Sequence, residues 1–246
     1  MKRQSTEIAS FQQFVDGKRL IENEVPKQIG DVKISGSGSL VSPNGYVLTA
    51  NHLLEPTDTV KVFWQKTLFK AKPVLRLPSS DVLLLRLETT ATDLPFLELD
   101  QSSPTFGDRL FGFGFPAPLV LGFYPKYHET TVSSHKGLGG EESSFQVALD
   151  SGLGSSGMSL VNSRNKIVGV VSSMLHSSPF LKEIPSNISF AANISSIYEK
   201  LKAQLPVLKP SHSPTTKKAL VKSALSATVL VLAYEKKPTA KVSSKT

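Results

Sequence analysis

Between residue 29 and about residue 204, short apolar runs alternate with turn residues, and this alternation favours an all-β fold. Val, Leu, Phe and Ile dominate the runs, whereas Gly, Pro, Asn and Ser fill the positions between them. Six predicted strands precede a linker near residues 100–106, at 32–34, 38–41, 46–50, 60–64, 73–77 and 82–86. Six more follow it, at 110–115, 127–134, 146–149, 159–162, 166–172 and 187–191. We therefore predict two antiparallel six-stranded β-barrels, followed by a helix over residues 195–204.

Three separated segments carry residue types that nucleophilic catalysis requires. Ser156 lies in a Gly154-x-Ser156-Gly157 turn before an apolar run, His52 follows one predicted strand, and Asp81 precedes another. A serine hydroxyl is a poor nucleophile until a histidine takes its proton, and an acid must orient that histidine. Each residue alone is typical of an ordinary loop or strand end. Their joint occurrence in the order His, Asp, Ser indicates a catalytic triad of one known type.

Longer segments around these residues resemble the protease domain of the HtrA/Deg family, within the chymotrypsin-like superfamily. Residues 36–52, GSGSLVSPNGYVLTANH, are similar to the histidine segment of that family, and 79–87, SSDVLLLRL, to its aspartate segment. Residues 188–191, ISFA, resemble its last core strand. The similarity covers about residues 29–204 and implies a double barrel of the chymotrypsin type. It also implies a serine endopeptidase that acts on polypeptides through an acyl-enzyme.

The resemblance assigns a role to each candidate catalytic residue. His52 is expected to act as the general base, Asp81 to hold its imidazole, and Ser156 to attack the substrate carbonyl. The backbone N–H groups of Gly154 and Ser156 are expected to form the oxyanion hole.

Two candidate residues bear on substrate specificity. Asp150 lies six residues before Ser156, the spacing at which trypsin-like enzymes hold an acid in a pocket for Arg or Lys. HtrA relatives generally have a small apolar residue there and prefer aliphatic side chains, so the two resemblances disagree. A solvent-facing Asp150 is an equally open interpretation. Phe190, in the segment similar to the last core strand, is the second specificity candidate.

The nucleophile segment departs from the family pattern after Ser156. The family normally continues Ser-Gly-Gly-Pro, whereas this chain has Met158 and Ser159 at the last two positions. A methionine adopts the torsion angles of a glycine only at a cost, and its bulk is expected to crowd the site behind the nucleophile. We interpret the change as tolerated, and leave two alternatives open. One is an inactive protease-like scaffold that binds peptides, and the other is a viral-type polyprotein-processing protease.

The two ends of the chain differ from the predicted protease domain. Residues 1–28 form a polar arm with helical spacing, whose Phe11 and Phe14 would contact other subunits if the chain forms trimers like its HtrA relatives. Residues 205–246 contain eight lysines against one glutamate and so carry +7 of the net charge of +8. Such a tail is typical of a solvated segment or of one that contacts an anionic surface. Its apolar part, 219–234, predicts a strand or short helix docked on the body, and a peripheral contact with a membrane is the alternative.

Composition excludes several other classes of site. The chain has no cysteine, which removes disulfides, thiolate metal sites and a cysteine nucleophile. Histidines 128, 135, 176 and 212 lack the spacing of zinc ligands, so we predict neither a metal nor a cofactor. The first residues lack the pattern of a secretion signal, and on this basis we expect a cytoplasmic protein.

Overall fold

The computed structural model describes residues 29, 32–54, 59–150, 152–172, 187–207 and 214–235. β-strands are the main regular structure of these residues, and they are joined by loops, by three α-helices and by 3₁₀ turns. The N-terminal arm with Phe11 and Phe14 lies outside the described residues, so its helix and its subunit contacts stay predictions. No helix within the described ranges combines the length and the apolar character that crossing a membrane requires.

The first barrel contains strands from both ends of the described chain. Its strands follow the closed order β1-β13-β3-β4-β5-β2, and every neighbouring pair is antiparallel. They are β1 (Ile34–Leu40), β2 (Tyr46–Ala50), β3 (Thr59–Trp64), β4 (Thr67–Leu77), β5 (Val82–Leu87) and β13 (Thr228–Tyr234). The continuous apolar run of β5 fits a strand that is covered on both faces, and Val82 to Leu85 are indeed fully buried.

The second barrel closes through a pairing between β10 and β11. Its ring is β10-β7-β8-β9-β12-β11, and β6 adds to β11 in parallel outside the ring. The strands are β6 (Glu98–Leu99), β7 (Arg109–Gly114), β8 (Lys126–Ser134), β9 (Ser144–Val147), β10 (Ser159–Val161), β11 (Lys166–Ser172) and β12 (Ser189–Asn193). Two closed six-stranded antiparallel barrels confirm the fold class predicted from the sequence.

The helices lie at the boundaries between strands. Helix α1 (Pro118–Leu121) is a single turn after β7, and α2 (Ile194–Lys202) follows β12. Helix α2 begins at the side chain of Asn193, which accepts a hydrogen bond from the Ser195 N–H. Its buried residues are Ile194, Ile197 and Leu201, whose spacing of three and four places them on one face. This helix lies close to the predicted range 195–204.

The first barrel differs from the prediction in the origin of its strands. We predicted two strands at 32–34 and 38–41, whereas the structure has one continuous strand, β1. The Ser-Gly-Ser-Gly-Ser sequence within it is typical of a turn, but its glycines allow close packing instead. A Cβ added at Gly36 would lie 2.3 Å from Leu53 Cδ1 and 2.9 Å from the Ser156 carbonyl oxygen. The sixth strand is β13, which follows the second barrel in the sequence.

Helix α3 (Lys217–Ala227) leads directly into β13 and contacts both barrels. On the first barrel, Trp64 Nε1 donates to the Ser226 carbonyl at 2.8 Å. On the second, Asn165 Nδ2 donates to Ser223 Oγ at 3.0 Å, and Lys217 pairs with Glu129. The apolar segment 219–234 therefore forms a helix and a barrel strand. Residues 236–246 lie outside the described residues, and their contact with an anionic surface stays a prediction.

Candidate active site

The pairing of β2 with β5 in the first barrel brings His52 and Asp81 together. Strands β2 and β5 are antiparallel with Ala50 opposite Val82, so a residue just after β2 lies beside one just before β5. His52 lies in the 3₁₀ turn Asn51–Leu54, and Asp81 ends the 3₁₀ turn Pro78–Ser80 in a left-handed conformation, with φ of 51°. His52 Nδ1 and Asp81 Oδ2 are 2.7 Å apart. Asp81 Oδ1 also accepts the His52 backbone N–H at 2.9 Å.

Ser156 reaches the same histidine from the second barrel. Its Oγ lies 2.9 Å from His52 Nε2, so one line of hydrogen bonds joins Ser156, His52 and Asp81. The Asp81 side chain is 11% exposed and that of His52 20% exposed. A carboxylate at Nδ1 favours the tautomer with its proton on that nitrogen, which leaves the Nε2 lone pair facing the serine hydroxyl. The structure thus brings all three predicted residues into contact.

Ser172, at the end of β11, is a fourth member of this network. Its hydroxyl donates to Asp81 Oδ2, the oxygen that also accepts from the histidine ring. The sequence analysis did not identify Ser172, because a single serine at a strand end has no distinguishing local pattern. Only the packing of β11 beside the 3₁₀ turn before β5 reveals it.

The nucleophile loop, residues 152–158, contains two glycines whose torsion angles and surroundings exclude a side chain. Gly154 has a φ of 85° and Gly157 a φ of 84°, both in the left-handed region. A Cβ at Gly154 would lie 2.4 Å from the Phe115 carbonyl oxygen, and one at Gly157 would lie 2.0 Å from the Ser37 carbonyl oxygen. The loop is further held by the Gly157 N–H, which donates to the Val171 carbonyl at 2.8 Å. These contacts fix the backbone on both sides of Ser156.

The backbone of this loop also fixes the direction of two N–H groups. The Leu153 carbonyl accepts the Ala117 N–H at 2.6 Å, so the Gly154 N–H of the same peptide unit points the opposite way. The Ser155 carbonyl accepts the Met158 N–H at 2.9 Å. The Ser156 N–H belongs to the same peptide unit as this carbonyl, so it points away from Met158. Within the described residues, neither of these N–H groups donates a hydrogen bond to a protein acceptor. Both predicted oxyanion donors are therefore available to a ligand.

Met158 does not crowd the nucleophile. Unlike Gly157 it lies outside the positive-φ region, and its side chain, 1% exposed, belongs to the core of the second barrel. A Cβ added at Gly112 would lie 2.9 Å from Met158 Sδ, and one at Gly114 would lie 3.1 Å from Met158 Cε. The missing side chains on β7 thus leave the space that the methionine occupies. The expected crowding is wrong, because the side chain points into the barrel rather than into the site.

The two specificity candidates have different environments. Asp150 is exposed, so it does not provide the buried carboxylate that its spacing from Ser156 suggested. Phe190 is 4% exposed and lies directly opposite Ser172 in the pairing of β11 with β12. Of the two residues, Phe190 is the one next to the hydrogen-bond network of Asp81.

Curated relatives of this chain include bacterial serine endoproteases. A protein of a Marinomonas species named "probable periplasmic serine endoprotease DegP-like" is 33% identical over 99 residues, which is 40% of this chain and 21% of that protein. A Pseudomonas fulva protein with the same name is 32% identical over 143 residues, 55% of this chain and 28% of that protein. A Sinorhizobium fredii protein of uncharacterised function, y4bJ, is 27% identical over 173 residues, 69% of this chain and 27% of that protein. The chain thus spans about a quarter of the length of these relatives.

The names of these relatives correct one expectation. We expected a cytoplasmic protein, but several relatives are named periplasmic endoproteases, which leaves a cytoplasmic location without support. The expectation rested on the lack of a secretion signal and of a transmembrane helix in the sequence.

A solved structure and a family model agree with the two-barrel fold and with the HtrA/Deg resemblance. The crystal structure of the serine endoprotease from Yersinia pestis matches with a TM-score of 0.55 at 25% identity, over 70% of this chain and 59% of that one. The family model described as "Trypsin-like peptidase domain" matches residues 36–170, which is more than half of the chain. The matched residues include His52, Asp81 and Ser156. The chain therefore belongs to the trypsin-like peptidase domain family of serine proteases.

Proposed function

We propose that this protein is a serine endopeptidase in which Ser156, His52 and Asp81 act as a catalytic triad. The observation that carries the proposal is the line of hydrogen bonds from Ser156 Oγ to His52 Nε2, 2.9 Å, and from His52 Nδ1 to Asp81, 2.7 Å. Membership of a serine protease family supports the same activity. Polypeptides are the proposed substrates, since the relatives are named endoproteases.

In the proposed reaction, Ser156 Oγ attacks the carbonyl carbon of the scissile peptide bond while His52 Nε2 takes the hydroxyl proton. Asp81 stabilises the imidazolium that results. The carbonyl oxygen becomes an oxyanion, which the N–H groups of Gly154 and Ser156 bind. His52 then gives its proton to the leaving amine, the C–N bond breaks, and Ser156 keeps the acyl group. Water, activated by the same histidine, hydrolyses this ester and regenerates the serine.

The buried position of Phe190 supports an apolar rather than a basic residue before the cleaved bond. Phe190 lies opposite Ser172 on the neighbouring strand, whereas Asp150 is exposed. A randomised peptide library would decide between the two residues. Enrichment of aliphatic side chains before the cut is expected, with Asp150→Ala leaving the preference unchanged. Enrichment of Arg or Lys that disappears in Asp150→Ala would assign specificity to Asp150 instead.

Labelling with a fluorophosphonate tests the assembled triad directly. The reagent should modify Ser156 in the intact chain, located by mass spectrometry of the labelled peptide, and should not react with His52→Ala. Unfolded casein should be cut at many sites, and Ser156→Ala should cut none. An intact fold, shown by circular dichroism, without labelling would contradict the proposal and favour the peptide-binding scaffold. Cleavage at one junction only would favour polyprotein processing.

The resemblance to the HtrA/Deg family also leads to a proposal about assembly. We propose that the chain forms homotrimers, as HtrA relatives do, with the arm that contains Phe11 and Phe14 at the contact. Light scattering during size-exclusion chromatography would give the mass. A trimer that becomes a monomer in the Phe11→Ala, Phe14→Ala double variant is the expected result, and a monomeric parent chain would contradict it.

A further inference from the structure

Ser37 is a fully buried polar residue of the first barrel whose hydrogen bonds lead to the nucleophile loop of the second. Its Oγ donates to the Gly154 carbonyl at 2.7 Å and accepts the Phe115 N–H at 2.8 Å. Its backbone N–H donates to the Ser156 carbonyl at 2.7 Å. Its carbonyl accepts the Thr49 hydroxyl at 2.6 Å. Every polar group of this residue is therefore occupied, and three of these four hydrogen bonds are to the other barrel.

We propose that Ser37 is a positioning residue that sets the orientation of the oxyanion hole. Its two donors hold the carbonyls of Gly154 and Ser156, which belong to the peptide units on either side of the Ser155–Ser156 peptide. The N–H of that central peptide is the Ser156 oxyanion donor. With both neighbouring peptides held from the other barrel, the central one cannot rotate freely. The inference rests on the proposed endopeptidase function, since it concerns how the same site stabilises its oxyanion.

The hydroxyl of Ser37 is the part of this contact that a mutation can remove selectively. Without Oγ, the Gly154 carbonyl and the Phe115 N–H both lose their shared partner in a buried region. Gly154 has a positive φ, and a glycine has more alternative conformations than other residues. The peptide at Gly154 is thus the part of the loop that we expect to rearrange to recover a hydrogen bond. Such a rearrangement moves the donors away from the reacting carbonyl.

Ser39 provides a matched control on the same strand. It lies two residues further along β1, so its side chain is on the same face as that of Ser37. Both serines are 0% exposed, but within the described residues the Ser39 Oγ has no hydrogen-bond partner. Replacing either serine by alanine removes one buried oxygen. Only Ser37→Ala removes hydrogen bonds to the nucleophile loop.

The test compares the parent chain with Ser37→Ala and Ser39→Ala as full-length proteins. The concentration of active sites in each protein is measured by titration with a fluorophosphonate. Misfolded molecules do not react with this reagent, so they do not affect the kcat calculated per active site. With a peptide substrate, Ser37→Ala should lower kcat by about tenfold to a hundredfold. Deleting an oxyanion donor outright lowers kcat by about a hundredfold or more, and the effect of Ser37→Ala should be smaller than that. KM should stay within about twofold, because ground-state binding does not use the hole. Affinity for a peptide boronate, which forms a tetrahedral adduct, should fall in parallel with kcat.

The outcomes separate this inference from the proposed function. A parent chain that neither labels nor turns over substrate overturns both. An active parent chain with Ser37→Ala as fast per active site as Ser39→Ala overturns the positioning role alone. A role limited to stability would lower the melting temperature of Ser37→Ala without changing kcat per active site. If Ser37→Ala does not fold, Ser37→Cys keeps a weaker donor and acceptor and should show the same selective loss of kcat, only smaller.

Discussion

At the scale of single residues, the candidate site depends on backbone torsion angles as well as on reactive side chains. His52, Asp81 and Ser156 could be predicted from the sequence, because each lies in a segment with a recognisable local pattern. Ser37 and Ser172 could not, since their contacts depend on strands far apart in the chain. Ser37 is 119 residues from the serine whose carbonyl it binds, and no local pattern records such a contact.

Gly154→Ala should strongly lower the activity of the enzyme while leaving its fold intact. An alanine there has an unfavourable positive φ and places its Cβ against the Phe115 carbonyl, which costs about 1–3 kcal/mol or displaces the loop. Displacement of the Gly154 N–H should lower kcat about a hundredfold. Gly152→Ala is the control, because that exposed glycine has no atom within 4 Å of its Cβ position. Steady-state kinetics of the two variants should differ; equal losses would contradict this account of the loop.

Ser172→Ala should reduce turnover by a smaller factor. The hydroxyl donates to the same Asp81 oxygen as the histidine ring, so its loss allows the carboxylate to move and weakens the hold on the imidazole. A single hydrogen bond to a charged group contributes about 1.5–3 kcal/mol to stability. Only the part of this energy that acts in the transition state changes kcat, so we expect a decrease of about tenfold. Ser134→Ala, a change of a partly exposed serine on β8, serves as the control. Unchanged kcat in Ser172→Ala would show that the other contacts of Asp81 suffice.

At the scale of secondary-structure elements, the sequence predicted where strands lie better than which strands they pair with. The β-branched run at 228–232 indicated a strand, but a strand pattern does not specify its neighbours. The register Ile34↔Ala233 through Ser39↔Thr228 joins residues 189 to 199 positions apart. Conversely, the Ser-Gly-Ser-Gly-Ser sequence of β1 has low strand propensity and is held by pairing with β13 and β2. Tertiary contacts therefore override local preference in the strand that carries Ser37.

Removal of β13 should unfold the first barrel. A chain that stops after residue 207 lacks α3 and β13, which leaves the edges of β1 and β3 unpaired and exposes Leu40, Val62 and Leu84 in the barrel core. We expect loss of cooperative thermal unfolding and of fluorophosphonate labelling. A chain that stops after Glu235 keeps the whole strand and should melt like the parent chain. If the shorter chain still labels and melts cooperatively, β13 is not required for the barrel.

At the scale of the whole molecule, the linker, helix α3 and a shared apolar cluster join the two barrels, in addition to the hydrogen bonds of Ser37. The linker contains Asp100, whose side chain binds the turn between β10 and β11, and helix α3 contacts both barrels. The largest apolar cluster contains residues of both barrels, including Val62, Leu84, Phe113 and Val161. These contacts fix the distance between barrels and hence between His52 and Ser156.

The network around Asp100 makes the stability of the molecule depend on pH. Burial raises the pKa of the Asp100 carboxyl, but hydrogen bonds from Ser102, Asn162 and Arg164 outweigh it and bring the pKa below its ordinary value of 3.8. A carboxyl with a lower pKa in the folded state stabilises the fold above its unfolded-state pKa. That contribution is lost as the pH falls through the lower folded-state value.

Asp100→Asn should therefore lower the free energy of unfolding at neutral pH, and this loss should be smaller at acidic pH. We expect a decrease of about 1–3 kcal/mol in the free energy of unfolding at pH 7, since the charged partner Arg164 loses its ion pair. The difference from the parent chain should shrink as the pH falls below about 4. Urea unfolding at several pH values measures both quantities. A difference that is constant with pH would mean that the carboxylate charge contributes nothing.

The position of β13 in the chain has a consequence for biosynthesis. During translation, five strands of the first barrel emerge first, and all strands of the second barrel follow. The sixth strand of the first barrel, β13, emerges only after them. We expect an open barrel not to hold Ser37 against the nucleophile loop, so a nascent chain without β13 should lack the proposed oxyanion hole. Under the proposed function, a chain should therefore become active only after β13 has emerged, and copies that still lack this strand should not digest their neighbours on the polysome.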